Sequence, residues 1–465
     1  MNLVRGIKSA FSAFYRGITN NAMTRAVNSW VVNGTIYGQF TCMEEYITDA
    51  YQKNADVYSI VSFIASKVAL APFNLYEVKN EKEFRKYKAL TTNPTQESLS
   101  KAKTLQIKAL EEIGGDHPLL TILNTSPNEN MDGSEFKYAC AVYRLLTGNT
   151  YIYGFGPETE DPVKKFIELH ILPSQHTSPV SGGEYQPVRG YKLSYRPGEE
   201  IPKANVAHYR YFNPDFDNGA NPHIIGQSPV QAASNALLAS NSGYEAEARA
   251  FQNGGMVGVL YEDGNTSMTD TQRIEMQKHI DQKMAGSSNF KQIIAASSKL
   301  GWIQIGTSPI DLGILEGRQG NLRTFCNIFH VNSAIFNDPE NKTYNNMVEA
   351  RKAAITDAVL PELTALRDAL NKWLVPGWSK ADNKRYFLDF DTSVYAELQD
   401  DMKALAEWLE KAWWIDPNEK RAQMNYDAKG PAFDECFIPA GIMPISQTVA
   451  PDFEKSFDKV GDVDF

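Results

Sequence analysis

The chain has 465 residues, of which 42% are hydrophobic and 22% charged, and its net charge at pH 7 is −10. This length favours about three domains with a large buried core. The acidic balance argues against a general nucleic-acid coat or a protein that binds anionic membranes by charge. No apolar run approaches the roughly 20 residues that cross a bilayer.

The cysteine pattern also narrows the class of protein. The four cysteines lie far apart and form no CxxC pair: Cys42, Cys140, Cys326 and Cys436. This spacing argues against a zinc site and against a secreted, disulfide-rich scaffold. We expect synthesis in a reducing cytosol.

The N-terminal segment is basic. The first 43 residues include Arg5, Lys8, Arg16 and Arg25 and no acidic residue. A rough helical stripe of apolar residues accompanies these charges, so a targeting peptide or a membrane-surface helix stays open. We interpret residues 1–29 as a basic arm that orders against a partner subunit or lies loose.

Residues 30–225 have the pattern of an α+β body. Asp56 is predicted to cap a helix with one apolar face. The charged stretch 79–115 is predicted to form a surface excursion with a helix around 98–112. Short β-like runs, separated by Pro and Gly, follow between 150 and 212.

The next helix is rich in small residues. Ser228 is a favourable N-cap and Pro229 a favourable first-turn residue for a helix over 229–252. Eleven of its 24 residues are Ala, Ser or Gly, so neighbouring helices can approach it closely. We predict that copies of this helix pack against each other; a plain core helix is the alternative.

A small insert and a second long helix follow. Residues 256–306 alternate strand-like and helical patterns, with a capping box beginning at Thr269. Ser308 and Pro309 then begin a helix that is predicted to end near His330. Two long helices that flank a compact tip are typical of a lever or a channel wall.

A polar loop and a bent helix come next. Five of the fifteen residues in 332–346 are Asn, which offers hydrogen bonds to a phosphate backbone without a strong positive charge. Residues 347–374 are predicted to form an amphipathic helix that bends or restarts at Pro361. A strand, an amphipathic helix over 396–415, a short helix from Pro417 and an acidic tail complete the chain.

The sequence lacks the familiar catalytic motifs. It has no GxxxxGK[ST], HExxH or GxSxG pattern. Asp389 and Asp391 could share one face of a strand and hold a metal ion. A metal-dependent nuclease or hydrolase that uses them is therefore the enzymatic alternative, but we predict a protein that is not an enzyme and needs no cofactor.

Six segments, in this order, resemble the portal proteins of tailed double-stranded DNA bacteriophages. They include NADVY at 54–58, HPL at 117–119, GNTY at 148–151, LHILP at 169–173, GQSP at 226–229 and PNEKR at 417–421. The resemblance covers most of the chain. The stretch 79–115 departs from it and resembles an insertion.

The resemblance implies an α+β portal-type ring subunit. It has an α/β wing, a two-helix stem, a small α/β clip, a kinked tunnel helix and a helical crown. The implied boundaries are wing 30–225, stem helix 226–254, clip 255–306, stem helix 307–331, tunnel loop 332–346, kinked helix 347–374, wing return 375–395, and crown with acidic tail 396–465.

The resemblance also implies a function and partners. Twelve subunits usually form the ring, at one capsid vertex of the virion, after assembly in the host cytoplasm. Double-stranded DNA passes through the channel during packaging and ejection. The large terminase subunit, the head–tail adaptor and the major capsid protein are the implied partners, a scaffolding protein is a further one, and no membrane is involved. Another ring-forming tail or baseplate component is the structural alternative.

Two sets of residues follow as candidate contacts. We predict that the tunnel loop faces DNA through Asn337, Asn341, Lys342, Tyr344 and Asn345. We predict that the clip docks the motor and the adaptor through Gln272, Glu275, His279 and Lys283.

Overall fold

The computed structural model describes most of the chain, in two compact units. The described residues are 29–32, 35–38, 43–92, 105–106, 109–157, 163–182, 187–215, 222–252, 258–262, 269–271, 274–275, 278, 300–304, 314–338, 344–398, 402–424, 426, 429–430 and 433. One unit comprises Met1–Val78 and Glu112–Val394, and the other comprises Lys79–Glu111 and Tyr395–Phe465. No helix in these ranges is both long enough and apolar enough to span a bilayer.

The strands of the first unit are short and pair antiparallel. In chain order they are β1 (Ser29–Val32), β2 (Thr35–Gly38), β3 (Phe73–Val78), β4 (Asn149–Phe155), β5 (Glu168–Leu172), β6 (Thr177–Val180), β7 (Gly190–Leu193), β8 (Glu200–Pro202), β9 (Val206–Arg210), β10 (Gly258–Glu262), β11 (Leu300–Gln304) and β12 (Tyr386–Phe390). The described sheets have the orders β1-β2, β9-β4-β5, β6-β7-β8 and β10-β11, and β12 pairs with β3.

The longer helices of this unit follow the predicted order. They are α1 (Ala55–Leu70), α2 (Gly133–Thr147), α3 (Pro229–Ala232), α4 (Ser234–Gln252), α5 (Ile314–Ile328), α6 (Tyr344–Ala354), α7 (Leu360–Trp373) and α8 (Val375–Asp382). The small-residue helix predicted over 229–252 is therefore two helices, because the chain turns at Ala233.

The main core joins segments that are far apart in sequence. Phe73 of β3, Phe136 of α2, Ile152 of β4, Leu366 of α7 and Leu388 of β12 are all buried in one cluster. Burial of each such side chain stabilises the fold by about 1.5–3 kcal/mol. This core holds α7 firmly on the α+β body.

The secondary structure of the charged stretch 79–115 differs from the predicted one. A helix spans Glu81–Thr92, and Asn80 accepts hydrogen bonds from the amides of Lys82 and Glu83 at its start. The predicted helix around 98–112 is wrong at its end, because Leu110–Glu112 is a strand.

The amphipathic helix predicted over 396–415 is shorter in the structure. It spans Met402–Lys411 and is preceded by a 3-10 turn at Ala396–Leu398.

The predicted restart at Pro361 is confirmed, in a specific form. The segment Ile355–Val359 between α6 and α7 is a π-helical turn, and Leu360 donates its N–H to the Ile355 carbonyl. A proline ring collides with the carbonyl four residues earlier in a regular α-helix, so a wider turn just before Pro361 relieves that clash. The helix starts at Tyr344, three residues before its predicted start.

The π turn also changes the phase of the helix. Ala354 lies nine residues before Leu363, so an unbroken α-helix would place them about 180° apart. The extra residue in the turn rotates α6 by about 100° relative to α7. As a result both Ala354 and Leu363 are buried.

His208 gives the fold a predictable response to acid. Its ring stacks on Tyr151 with centroids 4.3 Å apart, and its Nε2 lies 3.0 Å from Asn149 Oδ1. Burial, with help from the positive charge of Arg210, lowers the pKa of His208 to about 3. Below pH 6.5 the imidazole of His208 therefore binds a proton in the unfolded chain but stays neutral in the folded chain. Stability should fall by up to about 1.4 kcal/mol per pH unit down to pH 3.

A His208→Gln variant should lose this part of the pH dependence. Thermal unfolding between pH 7 and pH 4 measures it, and the melting temperature of the variant should fall less steeply than that of the parent. The matched control is His170→Gln, the same substitution at a half-exposed histidine. Equal slopes in all three proteins would show that His208 is not the responsible group.

Candidate functional site

The two long helices α4 and α5 pack side by side. Arg318 of α5 lies 2.6 Å from Glu247 of α4, and its guanidinium lies 4.2 Å from the centre of the Tyr244 ring. Burial raises the pKa of Asp56 of α1 above its usual value, and the positive charge of Arg318 acts in the opposite direction. These contacts connect the helix pair to the body through charge and an aromatic ring.

The start of α1 fixes the base of α4. Asn54, and not the predicted Asp56, is the N-cap: its Oδ1 accepts hydrogen bonds from the amides of Asp56 and Val57. Its Nδ2 donates to Ser240 Oγ at 3.0 Å and to Asn241 Oδ1 at 2.9 Å. An asparagine can cap one helix and bind another at once because its side chain both accepts and donates. An aspartate in this place could not donate to α4.

The polar loop begins with a capped 3-10 turn. Asn332 Oδ1 accepts a hydrogen bond from the amide of Ala334 and caps a 3-10 turn, Ser333–Phe336. Asn337 then takes a left-handed conformation with φ of 61°, which Asn tolerates better than most residues. The ring of Phe336 meets Phe63 of α1 edge to face at 5.8 Å. Two of the five loop asparagines thus have local structural roles.

Asp338 is anchored to α5. Its Oδ2 accepts from Arg323 Nε at 2.7 Å and from Ser333 Oγ at 2.8 Å, and its Oδ1 accepts from Arg323 Nη2 at 2.8 Å. The side chain of Asp338 is only 1% exposed. Two-point pairing between a guanidinium and a carboxylate combines charge with fixed geometry. No short sequence motif connects Arg323 with Asp338, so this ion pair was not predicted from the sequence.

The structure locates only part of the predicted contact residues. Asn337 is exposed, and Tyr344 and Asn345 are the first two residues of α6. In the insert between α4 and α5, Glu275 is exposed and helical. The others lie outside the described residues: Asn341, Lys342, Gln272, His279 and Lys283.

The bent helix is held to the body by a buried ion pair. Arg144 Nη1 of α2 lies 2.7 Å from Glu362 Oε2 of α7, one residue after Pro361. The Tyr211 hydroxyl donates to the other oxygen of Glu362, and the Arg144 guanidinium lies 4.2 Å from the Tyr211 ring centre. The start of α7 is therefore fixed in place.

The two aspartates of the enzymatic alternative have other partners. Asp389 Oδ1 lies 3.3 Å from Nη1 of the buried Arg367. Asp391 accepts hydrogen bonds from both the amide and the hydroxyl of Ser393, at 2.8 Å and 2.6 Å. Within the described part of the chain, no three His, Cys, Asp or Glu residues are grouped so that they could hold a metal ion. The described geometry therefore offers no support for a metal-dependent nuclease.

Comparison with known families decides the membership. A model of the family described as phage portal protein matches residues 96–425.

The chain belongs to the phage portal protein family.

The resemblance seen in the sequence is thereby confirmed, and portal proteins are structural rather than catalytic proteins. A related protein of Rickettsia bellii (strain RML369-C) is 25% identical over 419 residues, covering 88% of this chain and 96% of that protein. The portal protein of Enterobacteria phage HK97 is 20% identical over 373 residues, covering 77% and 78%.

Solved structures share the fold. A chain from the neck of a native gene transfer agent particle, computed with C12 symmetry, has a TM-score of 0.57 and 21% identity, covering 88% of this chain and 100% of that one. A chain from the neck of an empty particle, computed with C6 symmetry, also has a TM-score of 0.57, with 22% identity and coverage of 83% and 94%. The mixed helix and sheet architecture is therefore similar to that of these neck proteins.

Proposed function

We propose that this protein forms a ring, of twelve copies, at one vertex of a phage-type capsid, and that double-stranded DNA enters and leaves through it. Membership of the portal family carries the proposal. The likeness to a neck chain computed with C12 symmetry supports the copy number. The major capsid protein would surround the ring.

The exposed faces of α4 and α5 support association between copies. On each helix, small or short side chains recur at every third or fourth residue and are exposed. These residues are Asn235, Ala239, Ser242 and Ala246 on α4, and Gly317, Gly320, Thr324 and Asn327 on α5. Two different stripes on one subunit suit a head-to-tail contact, with α4 of one copy against α5 of the next, and such contacts close into rings.

The two glycines strengthen this argument. A Cβ atom added at Gly317 or Gly320 would meet nothing within 4 Å. Glycine inside a helix costs about 1 kcal/mol relative to alanine, and among the described residues no neighbour requires it there. Close approach of another helix would explain both residues.

The loop after α5 is the proposed DNA contact. A net charge of −10 disfavours tight binding to the phosphates, which suits a polymer that must slide. Asn337, Asn341, Lys342, Tyr344 and Asn345 would line the narrow part of the channel and offer hydrogen bonds.

Adding negative charge to this loop should change how DNA is held. Since Asp338 is anchored, the informative change is Asn341→Asp with Lys342→Glu. We expect rings of unchanged mass and altered DNA content, because the new charges repel phosphates. Genome content per purified particle measures the effect. Lys203→Glu, at an exposed position in the α+β body, should leave DNA content unchanged; a parental content in the loop variant would refute the contact.

The insert between α4 and α5 is the proposed docking surface. Gln272, Glu275, His279 and Lys283 would bind the large terminase subunit and later the head–tail adaptor. Binding of the motor to rings that carry Glu275→Lys tests this assignment, and unchanged affinity would count against it.

Two measurements test ring formation directly. Native mass determination of the purified protein, with and without a scaffolding protein, should give a closed oligomer, and particle images should show an axial hole. A monomer under all conditions would overturn the proposed function.

A further inference from the structure

The anchor at Asp338 lies at the last described residue of the loop before α6. Arg323 and Ser333 together donate three hydrogen bonds to its carboxylate, with donor–acceptor distances of 2.7–2.8 Å. Five residues separate Asp338 from Tyr344, the first residue of α6. The carboxylate of Asp338 therefore joins this point of the loop to α5 through Arg323.

Two further features hold the residues immediately before Asp338. Asn337 adopts the left-handed conformation immediately before Asp338. Phe336, one residue earlier, packs on Phe63 of α1. Since Arg323 belongs to α5, its pairing with Asp338 joins the start of the loop to that helix.

We infer that Arg323 is a positioning residue: through Asp338 and Ser333 it holds residues 333–338 of the loop on helix α5. This inference rests on the proposed function, because it deepens the role of the same loop. A lysine could supply the charge of Arg323 but not its planar, two-point donor geometry. The inference thus predicts a different result from a simple requirement for positive charge.

Hydrogen exchange at residues 333–338, measured by mass spectrometry on assembled rings, tests the anchor. In Arg323→Lys and in Asp338→Asn, we expect these amides to exchange roughly 10- to 100-fold faster, while ring mass and the exchange of α7 stay unchanged. Ser333→Thr, which retains the hydroxyl, should exchange more slowly than Ser333→Ala. Arg318→Gln is the control on the same helix: it breaks the pair with Glu247 and should leave 333–338 protected.

The anchor between Arg323 and Asp338 and the DNA contact of the loop can be refuted separately. Parental protection in both Arg323→Lys and Asp338→Asn would overturn the anchor. Faster exchange with unchanged DNA content would support the anchor and refute DNA contact by the loop. If Arg323→Lys fails to assemble, exchange in the milder Asp338→Asn decides the question. A uniform loss of protection throughout α5 and α7 would show a merely structural role and would also overturn the inference.

Discussion

Replacing Arg144 by methionine should lower the free energy of unfolding by about 3–5 kcal/mol, because Glu362 would remain as a buried carboxylate without its charge partner. The side chains of the pair are only 10% and 7% exposed, and the two charged groups lie 2.7 Å apart. Water cannot easily compensate for the lost partner at such burial. Urea unfolding of the dissociated subunit, followed by circular dichroism, measures the loss.

The double variant Arg144→Met with Glu362→Met is the matched control. Apolar side chains of similar length remove both charges, and such replacement of a buried pair is often neutral or stabilising. We expect the double variant to recover most of the stability that the single variant loses. A double variant that is as unstable as Arg144→Met would show that packing, rather than the unpaired charge, causes the effect.

Replacing Gly320 by leucine should abolish or severely weaken ring assembly. Among the described residues, none lies within 4 Å of a Cβ atom added at Gly320, and leucine is a better helix former than glycine by up to about 1 kcal/mol. In the proposed contact the same side chain would force two helices apart. This overpacking would weaken each interface by about 1–3 kcal/mol. The subunit should therefore become more stable while the ring becomes less stable. Mass photometry for assembly and thermal unfolding for the subunit separate the two effects.

Gln319 provides the control for that experiment. It is exposed and adjacent to Gly320 but lies off the small-residue stripe. Gln319→Leu adds a comparable apolar side chain and should leave assembly intact, whereas Gly320→Ala should give an intermediate defect. Normal rings from Gly320→Leu would contradict the proposed contact between α4 and α5 of neighbouring copies.

Sequence patterns over a few residues predicted several elements well. The helix with Val57, Ile60 and Ile64 on one face is present as α1, and the restart at Pro361 is present between α6 and α7. Such features are local: apolar spacing defines a helical face, and proline acts on its own turn. The order of short segments along the chain also sufficed to indicate the portal family, as the match over 96–425 confirms.

Local reasoning was weaker where two assignments had similar local support. Both Asn54 and Asp56 suit a helix start. The side chain of Asn54 is the cap, and its contacts with Ser240 and Asn241, which are distant in sequence, hold it in that place. The turn at Ala233 within the small-residue helix likewise has no Gly or Pro to signal it. A helix around 98–112 was predicted where Leu110–Glu112 is a strand, since strand pairing depends on a distant partner.

By itself the sequence determined the α1 and α7 helical faces, the interruption at Pro361 and membership of the portal family. Only the tertiary structure decided which charges are paired. Arg144 and Glu362 are 218 residues apart in the chain, and Arg323 reaches Asp338 only because the chain turns back on α5. The energy of such pairs depends on burial and on distances of a few ångströms, and both are properties of the folded chain that no short segment contains.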